Sequence, residues 1–381
     1  MADEKLDLIV RADRVFCADT GIDGPGAVAV RGGRIVAAGP DVSGDASTEL
    51  VFEDCVLLPG LVDMHCHPAP SDWKYGIDAD ELVLPRGTTT VLSQGDSGPR
   101  NWAQYKEQIV DASDTRILMA LSPSLGGEQG HNPVFERLDD VDVDACVDAI
   151  TQMGDAIWGI AVNVAGGTTG QNDPRVIMGR AIEAAERTGK PLLSGVRWDP
   201  FDWPLAEQLA LMRQGDVVTY CFHEGRGGIA PGDRVVDAAL EARERGVLFD
   251  IGHGMSSFDF GVAETAVAGG FLPDTISTDF YKRHSESDPR HDLPRTMSKL
   301  MAVGMSETEV FERATLSPAR ALGLQGEIGT LAAGACADLA VLRWNQEAAP
   351  LIDVAGESRP GGCWEPVMTV RGGEAIAATG P

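Results

Sequence analysis

The chain predicts an α/β protein: a (β/α)₈ barrel with a small β-sandwich domain built from both termini. Three observations carry that expectation. Eight apolar, β-type runs lie between residues 60 and 280, helix-like stretches separate most of them, and a strand-only texture appears just at the two ends. Eight strands alternating with helices favour a closed barrel over an open sheet. A doubly wound sheet would want a Gly-rich phosphate turn after its first strand, and no G-x-G-x-x-G run follows it.

Residues 6–58 read as short strands joined by turns, with Gly32-Gly33 between two apolar runs as a hairpin signal. The same texture returns at 335–344 and 366–380. The expected division is therefore a discontinuous small domain of residues 1–58 and 325–381 around a catalytic barrel of residues 59–324. The barrel strands are expected at 60–67, 88–95, 116–122, 157–164, 191–197, 217–224, 246–254 and 275–280. Helices are expected between them, for example at 175–190 and 234–246, where apolar residues recur at spacings of three and four and Lys, Arg or Gly stands near the end.

Composition narrows the partners. With 43% hydrophobic residues, 381 residues suffice for a large barrel and an appendage. The formal charge of −27 repels phosphate backbones and anionic lipid, so neither nucleic acid nor a membrane surface is an expected partner. A small-molecule substrate is expected instead. The seven cysteines are scattered with no C-x-x-C pair, which indicates neither a disulfide framework nor a thiolate zinc site. The N-terminal residues contain no apolar signal core, and no apolar run approaches the ~20 residues needed to span a bilayer. A cytoplasmic location is the resulting expectation.

The strongest chemical signal is His65-Cys66-His67, closing the first barrel strand. Residues i and i+2 of a strand share a face, so both imidazoles can meet one ion while Cys66 turns into the core. Of the seven histidines, His65, His67, His223 and His253 end candidate strands, whereas His131, His284 and His291 lie in loops and read as solvated surface residues. Strand ends of a barrel gather on one face, where active sites sit. Asp279 ends the last strand, where a carboxylate can ligate a cation and take a proton from water, or merely cap the next helix. Arg197 and Arg226 each follow a strand at the mouth and are candidates to grip a substrate carboxylate, or to pair with this acidic surface.

Pro59-Gly-Leu-Val-Asp-Met-His-Cys-His67 resembles the opening motif of the amidohydrolase superfamily. Thr315-Leu-Ser-Pro-Ala-Arg-Ala-Leu-Gly323 with Gly329-Thr-Leu-Ala-Ala-Gly-Ala-Cys-Ala-Asp338 is similar to its closing motif. The stretch from Asp250 to Leu300 resembles the dihydroorotase-like deacetylases, some of which cleave acetylated α-hydroxy acids. That branch binds two metals through H-x-H, a carboxylated lysine, two further histidines and an aspartate. The resemblance implies that His65 and His67 form the first pair and that Asp279 is the aspartate that doubles as general base. Ala161 stands where the branch has its bridging lysine, Ser194-Gly195 where it has its fifth-strand histidine, and Tyr220 where it has its sixth-strand histidine.

Without a bridging anion two nearby cations repel strongly, so one metal is expected, held by His65, His67, Asp279 and a recruited group. His223 is the first recruit and His253 the next. Three protein ligands plus water suffice for a catalytic site; zinc fits best, with iron or manganese as alternatives. Tyr220 is placed to donate to a developing oxyanion. The expected function is hydrolysis of an amide or ester with Asp279 as base and with His253 and Tyr220 assisting. The alternatives are a non-hydrolytic metalloenzyme (lyase, decarboxylase, deaminase or oxygen-using) and a pseudoenzyme. By family analogy a homo-oligomer is expected.

Overall fold

The computed structural model describes residues 5–70, 73–197, 202–225 and 227–380. Four strands open the chain: β1 (Leu6–Cys17), β2 (Ile22–Arg31), β3 (Arg34–Gly39) and β4 (Ala46–Pro59). The barrel contributes β5 (Leu61–Cys66), β6 (Thr88–Gln94), β7 (Arg116–Leu121), β8 (Ile157–Asn163), β9 (Leu192–Gly195), β10 (Val217–Thr219) and β11 (Leu248–Phe249). After them come β12 (Leu339–Asn345), a two-residue pair β13 (Leu351–Ile352) and β14 (Ser358–Arg359), then β15 (Cys363–Arg371) and β16 (Glu374–Ala377).

The strands of the two ends form one sheet in the order β16-β15-β12-β4-β1-β2-β3. Only β1 and β4 run parallel; every other pair in it is antiparallel. It curls over its own core of Leu8, Val10, Val28, Val30, Leu57, Leu339, Val341 and Val370. Gly32-Gly33 makes the expected β2–β3 turn, with φ of 59° and 71°, a region glycine enters without steric cost.

The strands β5 to β11 form a parallel sheet in sequence order, and near-continuous burial along β5, β6 and β8 marks them as covered on both faces. Helices cross between them where the spacing predicts. Pro174–Thr188 is capped by the Asp173 carboxylate at its start and by Gly189 in the left-handed conformation at its end; Asp237–Glu244 fills part of 234–246.

The eighth run, 275–280, forms no regular ladder but closes the circle with single bridges to both neighbours. Asp250 bridges Thr275, and Cys66 bridges Phe280. Backbone bonds from Asp279 N to the His65 carbonyl (2.7 Å) and from His67 N to the Phe280 carbonyl (2.9 Å) complete the join. Strands six and seven are also shorter than expected. Tyr220, at φ 65°, and Gly252 and Gly254, at 51° and 48°, turn the chain out of extended geometry at the strand ends. Among the described residues no helix is long and apolar enough to cross a membrane.

One buried group ties the terminal sheet to the barrel. Asp338, 3% exposed, accepts from Arg116 of β7 (2.7 Å), Arg371 of β15 (3.1 Å) and Gly372 N (2.9 Å). Removing the carboxylate strands Arg116 with its hydrogen-bond donors facing the joint. Asp338→Ala is expected to destabilise the fold by about 3 kcal/mol, read as a lower urea midpoint.

Candidate metal centre

The site starts from strand geometry. On β5, alternation sends His65 and His67 to one side and Cys66 to the other, where its thiol is fully buried in the main core. The closing run delivers Asp279 opposite them at φ 48°, a strained conformation for a residue with a side chain, and the kind of backbone outlier that clusters at functional sites. Gly254 makes room: a Cβ there would come within 2.5 Å of Asp279 Oδ2.

Asp279 Oδ1 lies 3.4 Å from His65 Nε2 and 3.3 Å from His67 Nε2. Donor atoms of all three lie within 4.8 Å of one another, the one group of this kind among the described residues. Both ring tautomers can be read from their partners. Thr219 Oγ1 donates to Asp250 Oδ2 (2.8 Å), so it accepts from His65 Nδ1 (2.9 Å). Asp96 Oδ1, 2.7 Å from His67 Nδ1, can only accept while ionised. Each Nε2 is therefore the nitrogen that would face a cation beside Asp279, with the other nitrogen held by an anchored acceptor, as in carboxylate-supported metal histidines.

Charge supports the same fit. Burial pushes His65 down to about 4, which keeps it neutral and able to ligate. Burial also opposes charge on His67, but Asp96 and Asp279 outweigh it and hold that ring well above the ordinary imidazole value. The pocket thus holds a proton where a cation would serve, and metal binding at such sites releases protons.

The cavity over the triad is about 250 Å³, and His67, Gln94, Glu128, Tyr220 and Tyr281 are among its walls. Tyr220 lies with its hydroxyl 3.5 Å from His65 Nε2 and receives a bond from Asn163 Nδ2 (3.2 Å). Burial pushes the Glu128 carboxyl up to about 7.

Three of the four residues expected as ligands come together; His223 does not. The turn at Tyr220 carries the chain away from the triad, and His223 Nδ1 donates to the Glu224 carbonyl at 2.6 Å. His253 is also apart: Nδ1 donates to the Gly254 carbonyl (2.7 Å), Nε2 receives Lys299 Nζ (2.7 Å), and the ring stacks on Phe258. Both its nitrogens are engaged with groups outside the triad. Arg197 does not open towards substrate. It is 6% exposed, with its guanidinium spent on Asp202 (2.7 and 3.2 Å), Thr169 (3.1 Å) and the Val164 carbonyl (3.3 Å), so it braces two loops instead. Arg226 lies outside the described residues. His284 and His291, expected at the surface, are 3% and 7% exposed and stack with centroids 4.2 Å apart. His131 is exposed, as expected.

Sequence reasoning missed Asp96, Thr219, Asp250, Glu128 and Arg283, which also lines the cavity. Asp96 follows β6 as His67 follows β5, a strand-end position that could have flagged it. Thr219 and Asp250 carry no comparable signal.

A barrel whose strand ends bring two histidines and an aspartate together has a candidate metal site, and the comparisons supply the class. The chain matches the amidohydrolase family model over residues 263–363. It is 32% identical to a deacetylase of Enterococcus faecalis over 355 residues, covering 92% of this chain and 95% of that one. A deacetylase of Agrobacterium fabrum is 33% identical over 353 residues, 91% of this chain and 85% of that one. Among solved structures, an adenine deaminase superposes with a TM-score of 0.88 at 29% identity over 98% of this chain and 100% of that one. A dihydroorotase does so at 0.86 and 28% over 98% of both. The protein belongs to the amidohydrolase family and is a hydrolase.

The anchoring bonds make a prediction. Thr219→Val keeps the side chain's shape but removes the acceptor for His65 Nδ1. Metal affinity, measured by competition with a chromogenic chelator, is expected to fall roughly 10- to 100-fold.

Proposed function

We propose that the protein is a mononuclear metal-dependent hydrolase that cleaves an amide or ester bond of a small molecule. The observation that carries this reading is the convergence of two anchored imidazole nitrogens and one carboxylate oxygen on a single space at the cavity floor. His65, His67 and Asp279 would hold the ion, and zinc suits two histidines and a carboxylate best, with iron or manganese able to replace it. A bound divalent cation supplies Lewis acidity and an acidified water.

The chain's own residues do the rest. Asp279 accepts the proton of the attacking water and returns it to the leaving nitrogen or oxygen. Tyr220, oriented by Asn163, offers its hydroxyl to the carbonyl oxygen as charge develops there. The cavity of about 250 Å³ suits a small substrate. Ala161 packs among Leu92, Ala120 and Leu193 in the barrel interior and offers nothing to bridge a second ion; Ser194 and Tyr220 likewise supply no imidazole. That absence supports one metal rather than two. The relatives named deacetylases make acetylated amines and alcohols the first substrates to test, and the likeness to an adenine deaminase adds aminopurines.

Elemental analysis of protein purified without chelators or a histidine tag is expected to give close to one equivalent of metal per chain. Two equivalents, or none even after reconstitution, would overturn the mononuclear reading. Asp279→Asn should lower turnover on the order of 10²- to 10⁴-fold while much of the metal stays bound. Unchanged turnover in that variant would remove Asp279 as the base.

A further inference from the structure

On the far side of Gly254 from Asp279 lies a second cavity of about 350 Å³ that the proposed reaction does not use. Its walls come from the loop after the closing strand, the helix Leu293–Ala302 and the β13 segment. Arg295 and Lys299 stand four residues apart on that helix, so both reach the same face. They are 9% and 5% exposed.

Neither cation makes an ion pair among the described residues. Arg295 Nη2 donates to the carbonyls of Pro350 (2.9 Å) and Ala349 (3.4 Å). Lys299 Nζ has a single hydrogen-bond partner, the neutral His253 Nε2. Among the described residues no carboxylate lies within 4.0 Å of either. Asp353 and the exposed Asp288 also line the cavity, and Asp353 supplies a negative charge that favours the Lys299 cation. Its oxygens, however, accept from Phe260 N, Ala355 N and Glu357 N and take no bond from Arg295 or Lys299.

A third donor faces the same space. His284 Nδ1 accepts from Tyr281 N (3.3 Å), which places the ring proton on Nε2; that buried atom makes no well-formed hydrogen bond and has the Gly254 carbonyl nearby. Burial, helped by repulsion from Arg295 and opposed by Asp353, drives Lys299 down to about 7. Two buried cations against one buried carboxylate leave donors around this cavity that an anion would satisfy.

We propose that this cavity is a binding site for a small oxyanion, a carboxylate or phosphate group held by Arg295, Lys299 and His284. The anion is either a free effector or the acidic end of a substrate, because Gly254, which lines this cavity, lies against Asp279, which lines the other. The site does not depend on the metallohydrolase reading, since none of its three donors belongs to the triad.

The test is calorimetric titration of wild-type protein with inorganic phosphate and, separately, with N-acetylglycine. Saturable binding near one equivalent is expected, weakened roughly 10- to 100-fold in Arg295→Gln and in Lys299→Met and unchanged in Asp279→Asn. Competition between the two probes in Asp279→Asn would support a substrate subsite; binding of phosphate alone would support a free-anion site. Loss of binding in Asp279→Asn with retention in the other two would overturn the proposal and place the anion at the triad. Should both cavity variants fail to fold, wild-type crystals soaked in selenate decide: an anomalous peak beside Lys299 Nζ supports the site, and its absence there overturns it.

Discussion

The carboxylate of Asp63 holds the barrel and its centre together. It is 2% exposed and accepts from three donors: His65 N (3.0 Å) on its own strand, and Thr278 N (3.1 Å) and Thr278 Oγ1 (2.5 Å) on the run that closes the circle. Burial pushes this carboxyl up to about 7 against the pull of the Thr278 bonds. One buried group thus fixes the first strand to the last at the level of the site. The backbone bonds that flank it, Asp279 to His65 and His67 to Phe280, then leave Asp279 little freedom to be anywhere but between the two imidazoles. A strained φ at Asp279 persists because this surrounding structure over-determines it.

A second buried carboxylate performs the matching task on the other side. Asp250 accepts from Thr219 (2.8 Å), Thr275 (2.6 Å) and Ser277 (2.6 Å), hydroxyls of β10 and of the closing run. Its bond to Thr219 turns that hydroxyl into an acceptor for His65 and so selects the imidazole tautomer. The barrel is irregular where ladders would be weakest, between β10, β11 and the closing run, and side-chain hydrogen bonds replace the missing backbone pairs there. Structural closure and ligand orientation are consequently one network, and a change made to either reaches both.

Electrostatics divides the strand-end face into two unlike compartments. Around the triad, Asp96 and Asp279 favour positive charge, which suits a cation. Across Gly254 the balance reverses, with Arg295, Lys299 and a histidine proton favouring an anion. The formal charge of −27 gives no hint of this division, because it sums the whole chain while each compartment is set by a few buried groups.

The sequence alone pointed to the barrel, to the terminal strands and to His65, His67 and Asp279 as strand-end residues on one face, while the contacts of Asp63 and Thr278 seat Asp279 between the two imidazoles. Period-two runs alternating with helical spacing are local signals, and His65, His67 and Asp279 are each set at a strand end by that pattern. What tertiary structure decided were contacts between distant segments. Asp96 joined His67, Thr219 joined His65, and Lys299 occupied His253, none of which any spacing encodes. Arg197 sits at a strand end as expected, but the folded chain supplied Asp202 and Thr169 to take up its donors. His223 failed as a ligand for a related reason: position along a strand fixes a direction only while the backbone stays extended, and the left-handed turn at Tyr220 ended that rule three residues too early.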